Sequence, residues 1–180
     1  MSVHGMLENI RAHSIVVARI AELIAGGVKN AGHPISLELT LAAALLHDIG
    51  KTPCLNTLED HARKGSDICR SHQLDTIADI VAEHVVLKNG VPLPVCTEKE
   101  IVYYADKRVN HDAIVDLDDR LDYIIERYAG ENAELKHAIR KNFKHCHLIE
   151  SILFADLDFR PGDIVRLVHK KQSILLRDST

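Results

Sequence analysis

Apolar residues along this chain recur at three- and four-residue intervals and nowhere alternate convincingly with polar ones, the periodicity of helices lying on a core. The first stripe, His13, Val16, Val17, Ile20 and Ile24, predicts an N-terminal helix whose end Gly26-Gly27 should loosen before the His33-Pro34 loop. Ser36 is placed to cap a second helix that runs into AALLHDIGKT at 43–52, with Gly50 where a left-handed C-terminal residue is wanted. Thr57 with Asp60, and Thr97 with Glu100, have capping-box spacing, so helices are expected to begin near 58 and 98. Between them Ile77, Ile80, Val81 and His84 mark a further helix, and NGVPLP at 89–94 reads as a loop. Asp116 with Asp119 opens a helix through Tyr128 that Gly130 closes, and two more helical stretches cover roughly 132–154 and 163–176. With no repeat, low-complexity tract or long linker, the pattern predicts an all-α fold and a single domain over 1–180.

Composition narrows the class. At 180 residues, with 46% apolar and 27% charged, the chain can bury a substantial core. No stretch approaches the ~20 apolar residues of a membrane span, and no basic-then-apolar leader is visible, so no membrane partner and a cytoplasmic location are expected. Cys54, Cys69, Cys96 and Cys146 form no Cys-x-x-Cys pair and read as reduced thiols. A formal charge of −4 argues against a surface that coats nucleic acid, so an anionic ligand would have to be drawn by a local positive site.

The unusual feature is 12 His against no Trp and three Phe. His13, His47, His61 and His84 fall on or beside apolar stripes, together with Asp48 and Asp106, and come from different expected helices. One histidine on such a face is most often a hydrogen-bonded core residue. Several imidazoles with two carboxylates are costly to bury unless paired or bound to a cation, because a lone buried charge loses its hydration. A metal ion supplies that compensation. His4, His33, His72, His111, His137 and His169 fall in no ligand pattern of the sequence, and His145-Cys146-His147 is left unassigned, since neighbouring helical residues point about 100° apart.

In order and spacing, His13, His47-Asp48 and Asp106 resemble the H…HD…D signature of the HD superfamily of metal-dependent phosphohydrolases, with HDIGK at 47–51 its most recognisable string. His61 in EDHARKG and His84 in AEHVV resemble the additional histidines of members that hold two metals, such as cyclic-dinucleotide phosphodiesterases and bacterial dinucleoside-tetraphosphate hydrolases. Glu83 stands where the cyclic-dinucleotide enzymes carry a second histidine, and their Gly-Tyr-Pro element is absent, so the resemblance is to the superfamily rather than to that subgroup. It implies a compact multi-helix bundle around a metal site, with a metal-binding core at about 10–125 and C-terminal helices at about 130–178 packed on it.

The implied reaction is hydrolysis of a phosphoester or phosphoanhydride by a metal-activated hydroxide, on a phosphorylated small molecule of nucleotide type. A metal lowers the pKa of bound water towards ~7 and neutralises charge on the phosphoryl group. His13, His47, Asp48 and Asp106 would hold one ion, and Asp48, with two oxygens, could bridge to a second held by His61 and His84. Imidazole and carboxylate ligands suit iron, manganese, zinc, cobalt or nickel better than magnesium or calcium, and the resemblance favours iron or manganese, one ion or two. Asp48 and Lys51 are the expected catalytic residues; Lys51, then Lys107 and Arg108, are the candidates for contact with substrate phosphate, while Arg63 and Lys64 read as a solvated face. Two alternatives stand beside this: a one-metal nucleoside-monophosphate phosphatase in which His61 and His84 are core residues, and a non-catalytic nucleotide-binding sensor.

Overall fold

A computed structural model describes residues 5–57, 59–88 and 96–177, with side chains up to residue 170. The expected loop at 89–94 lies outside the described residues, as does His4. The fold is all-α apart from one minimal hairpin. In chain order the elements are α1 (Glu8–Asn30), α2 (Leu37–Leu46), α3 (His61–Ser71), α4 (Asp75–Val81) and α5 (Glu98–Lys107). There follow β1 (Val109–Asn110), β2 (Ala113–Ile114), α6 (Leu117–Ile124), α7 (Ala133–Leu153) and α8 (Ile164–Arg177).

Helix α1 is the axis of the core. Its stripe of Val17, Ile20, Ala21 and Ile24 is wholly buried, and it packs along α2, α5 and α8. Tyr103 and Tyr104 of α5 and Phe143, Cys146 and Ile149 of α7 complete the same apolar cluster. Removing that much apolar surface from water is the main driving force for assembling these helices.

Several helix ends follow the expected caps. Ser36 Oγ accepts from Leu39 N, and Thr97 with Glu100 forms the reciprocal box that opens α5. Asp116 caps α6, which runs on as a single π turn at Ile125–Ala129 before Gly130 in the left-handed region. Elsewhere the structure corrects the reading. Asp60, not Thr57, is the N-cap of α3, accepting from Ala62 N at 2.8 Å, and the helix begins at His61. Gly26-Gly27 does not loosen α1, which continues to Asn30; Gly27 instead admits Leu157, whose Cδ2 would lie 2.6 Å from a Cβ there. The left-handed residue after α1 is Gly32, with φ 96°.

Gly50 is also not left-handed; among the described glycines only Gly5, Gly32 and Gly130 have positive φ. A Cβ at Gly50 would lie 2.3 Å from the His61 carbonyl oxygen and 2.4 Å from Gly65 N. Its bare Cα lets the turn after α2 press against the backbone of α3. That contact brings two stretches of candidate ligands together. The hairpin was not expected: Val109 pairs with Ile114 and Asn110 with Ala113, and His111 turns the chain at φ 55°.

Candidate metal centre

The terminal turns of an α-helix leave carbonyls without partners. Two histidines fill such positions in the same way. His47, just past α2, meets the Ala44 carbonyl with Nδ1 at 2.7 Å, and His84, just past α4, meets the Val81 carbonyl at 2.7 Å. A carbonyl only accepts, so each Nδ1 carries the proton and donates it, and Nε2 is left facing inward. His84 therefore sits in the turn beyond α4 rather than on the helix expected to include it. His13, on the buried face of α1, is set likewise: its Nδ1 donates to the His111 carbonyl at the hairpin tip, 2.8 Å away.

These imidazoles converge on one carboxylate. Asp48 Oδ2 lies 3.8 Å from His13 Nε2 and 3.5 Å from His47 Nε2, while Oδ1 lies 3.5 Å from His61 Nε2 and 3.6 Å from His84 Nε2. Asp106, from α5, places Oδ1 3.1 Å from His13 Nε2 and 3.6 Å from His47 Nε2. The donors thus form two groups, His13-His47-Asp48 and Asp48-His61-His84, that share Asp48 and could each hold an ion.

The donor set fits a divalent cation on two grounds. His47 Nε2 is fully buried and has no hydrogen-bond partner, although it faces two carboxylates. A buried polar atom of this kind carries a desolvation cost that a cation bound in the cluster would offset. The 3.5–3.8 Å gaps around Asp48 are also too long for hydrogen bonds, yet two ligands about 2.1 Å from one tetrahedral ion stand about 3.4 Å apart.

The electrostatics agree with a site built for positive charge. Burial penalises the Asp48 and Asp106 carboxylates, but His47 beside Asp48 and Lys107 beside Asp106 hold both well below the usual range. Burial also pulls the His47 imidazole down, and the two carboxylates outweigh it, raising its pKa to about 10. His61 has the opposite balance: burial and neighbouring His84 lower it to about 4, which leaves its Nε2 lone pair open.

The three basic residues expected at the phosphate are placed differently. Lys51 stands at the cluster, half exposed, with Nζ 2.9 Å from Asp48 Oδ2. Lys107 is buried, and its Nζ is consumed by Asp106 Oδ2 at 3.1 Å and by the His84 carbonyl. Arg108 is not brought to the cluster; its guanidinium donates to the Val115 carbonyl at 2.6 Å, to the Pro161 carbonyl at 3.2 Å and to Tyr104 Oη. Arg108 lies two positions on from Asp106, about 200° round the helix, so nearness in sequence does not put it beside Asp106 in space. Arg63 is exposed, in line with a solvated face.

Other polar side chains around the cluster are structural. Tyr103 and Tyr104 are wholly buried, the first donating to Asn142 and the second to Glu150. Cys146 points into the core with its thiol pushed up to about 12 by burial, whereas His147 pairs with Asp118 at the surface, so this triplet does not converge. The sequence reading missed the part played by the His111 carbonyl. Its signal was Asn110 and Asp112, two turn-forming residues flanking His111 soon after the end of α5.

The HD-domain family profile matches residues 10–124, and the chain belongs to that family. Its members are typically metal-dependent hydrolases that bind divalent cations. An uncharacterized protein of Methanocaldococcus jannaschii is 27% identical over 79% of this chain and 91% of its own length. A tRNA (cytidine(56)-2'-O)-methyltransferase of Picrophilus torridus is 34% identical over 69% of this chain but only 38% of that protein. A ribonuclease Y of Pseudothermotoga lettingae is 33% identical over 55% of this chain and 18% of that protein. No solved structure gives a significant match. Among the described residues, no helix is long and apolar enough to cross a membrane.

Proposed function

We propose that this protein is a metal-dependent phosphohydrolase that cleaves a phosphoester or phosphoanhydride of a nucleotide-like substrate. The observation that carries the reading is the division of Asp48 between two histidine pairs, with one oxygen facing His13 and His47 and the other facing His61 and His84. His13, His47, Asp48 and Asp106 would hold one divalent ion, and Asp48, His61 and His84 a second. Bound ions supply a water of pKa near ~7 and neutralise charge on the phosphoryl group. The mixed imidazole and carboxylate donors suit iron or manganese, with zinc, cobalt and nickel as the other candidates.

Charge supports a phosphate-bearing ligand. With its imidazoles neutral, as ligation requires, the cluster sets Asp48 and Asp106 against Lys51 and Lys107, so bound cations add positive charge that no side chain offsets. A polyanionic substrate supplies the balance. Lys51, partly exposed and paired with Asp48, is the protein group placed to meet it: its ammonium would turn from Asp48 towards a phosphate oxygen and orient it. The helices after residue 130 belong to the same domain in this reading, which the packing of α7 against α5 and of α8 against α1 supports.

The test is a screen of purified protein, reconstituted with manganese or iron, against nucleoside monophosphates, dinucleoside polyphosphates, cyclic nucleotides and short RNA. RNA is included because one relative is named a ribonuclease. Metal-dependent phosphate or nucleotide release from one class is expected. Protein that is loaded with metal and binds nucleotide but turns over none of these is the non-catalytic sensor instead.

A further inference from the structure

We propose that Lys107 and Asn142 are positioning residues: a brace that ties the two ligand groups of the metal centre together and fixes His84 from behind. The inference rests on the two-ion reading above for its consequences, but its geometry stands apart from it. Lys107 Nζ donates to Asp106 Oδ2, whose partner oxygen Oδ1 faces His13 and His47, and to the carbonyl of His84, which belongs with Asp48 and His61. One ammonium therefore links Asp106, which faces the first group, to His84 of the second. A lysine only 4% exposed is costly unless its charge is met, and here a carboxylate, a carbonyl and the face of Tyr103, 4.2 Å from Nζ, meet it. A methionine would pack against Tyr103 as well without any of that cost, so packing alone does not account for the lysine.

The next carbonyl along the chain is held by another helix. Asn142 of α7 donates from Nδ2 to Val85 O at 2.9 Å, and its Oδ1 accepts from Tyr103 Oη at 2.8 Å. Consecutive carbonyls at 84 and 85 are thus gripped from α5 and α7. The turn needs this help: α4 ends at Val81, and the backbone bond from His84 N to Val81 O is stretched to 3.5 Å. Glu83 adds a clasp on the far side, accepting from Lys88 N and Lys99 Nζ, each at 2.8 Å. His47, by contrast, follows α2 without any contact to Lys107 or Asn142 among its hydrogen bonds.

Two variants test the brace, Asn142→Ala by two measurements and Lys107→Met by one. In metal-free, 15N-labelled protein, Asn142→Ala should speed exchange of the His84 Nδ1 proton about tenfold or more while leaving that of His47 unchanged, as loss of an outer support predicts. In manganese titration, Asn142→Ala should weaken the second equivalent about tenfold and spare the first. Lys107→Met should weaken the second equivalent too but leave the first as tight or tighter, because Asp106 loses the cation that competes with metal. A merely structural role would loosen both equivalents together, and that result, or unchanged His84 exchange, overturns the brace. If wild-type protein takes up one equivalent only, the two-ion reading fails, and the His84 exchange still decides the brace. Should Lys107→Met not fold, Asn142→Ala carries both measurements.

Discussion

Gly50 and Gly65 touch backbone to backbone: a Cβ placed on Gly50 would lie 2.4 Å from the Gly65 nitrogen and 2.9 Å from its Cα. The turn carrying Asp48 and the helix opened by His61 are thereby pressed together, and the distance from Asp48 Oδ1 to His61 Nε2, 3.5 Å, depends on it. Gly50→Ala should cost about 3 kcal/mol, at the upper end for overpacking, since backbone atoms cannot rotate away. It should also deplete the second metal equivalent by moving His61. Gly162→Ala, with open space at the same point, is the control and should stay within about 0.5 kcal/mol of wild type. Chemical denaturation and elemental analysis of both variants check this.

Shared and unshared ligands should behave differently. Asp48→Ala is expected to remove essentially all hydrolysis and most bound metal, because both donor groups lose a member. His61→Ala or His84→Ala should lose mainly the second ion while the first keeps His13, His47, Asp48 and Asp106. Metal content and rate measured side by side decide the matter. Wild-type turnover in Asp48→Ala would mean that HDIGK is not the reacting centre.

Lys51 is held by Asp48 but is not a metal donor. Lys51→Ala should keep the metal complement and raise KM about tenfold, the loss of one charge-assisted contact to phosphate. A drop in kcat with KM unchanged would place the ammonium in the transition state alone. Lost metal would instead make it a structural partner of Asp48.

Chelation should destabilise the protein without unfolding it. The apolar cluster around α1 is built from side chains other than the candidate ligands, whereas binding linkage adds only about 2.7 kcal/mol per site at a hundredfold excess over Kd. Circular dichroism should keep its helical signature while Tm falls. Uptake should also tighten as pH rises: without metal the His47 imidazole, raised to about 10, holds a proton at neutrality that a cation must displace, while His61, lowered to about 4, holds none. Binding enthalpies in buffers of different ionisation enthalpy would register that proton.

Much of the helical plan is local and was legible as such. Stripes such as Val17, Ile20 and Ile24, and caps such as Ser36 and Thr97-Glu100, involve residues a few positions apart, so spacing alone exposes them. The order of His13, His47-Asp48 and Asp106 likewise carried the family, because metal-competent side chains on apolar faces are rare enough to be informative.

How distant backbones meet is not written in local spacing. Gly50 reads as a helix terminator in one dimension, and its reason is an α3 backbone that sequence spacing does not place there. Lys107 and Arg108 are equivalent beside Asp106 on paper, yet about 100° of helical rotation sends one ammonium to the His84 carbonyl and the other cation to Val115 and Pro161. Short-range spacing and residue type are enough to read most of the helices and the chemistry they carry, though not the hairpin of β1 and β2. Which atoms of those residues face a common point depends on contacts between segments up to 98 positions apart, as from His13 to the carbonyl of His111, and only packing of the whole fold sets these.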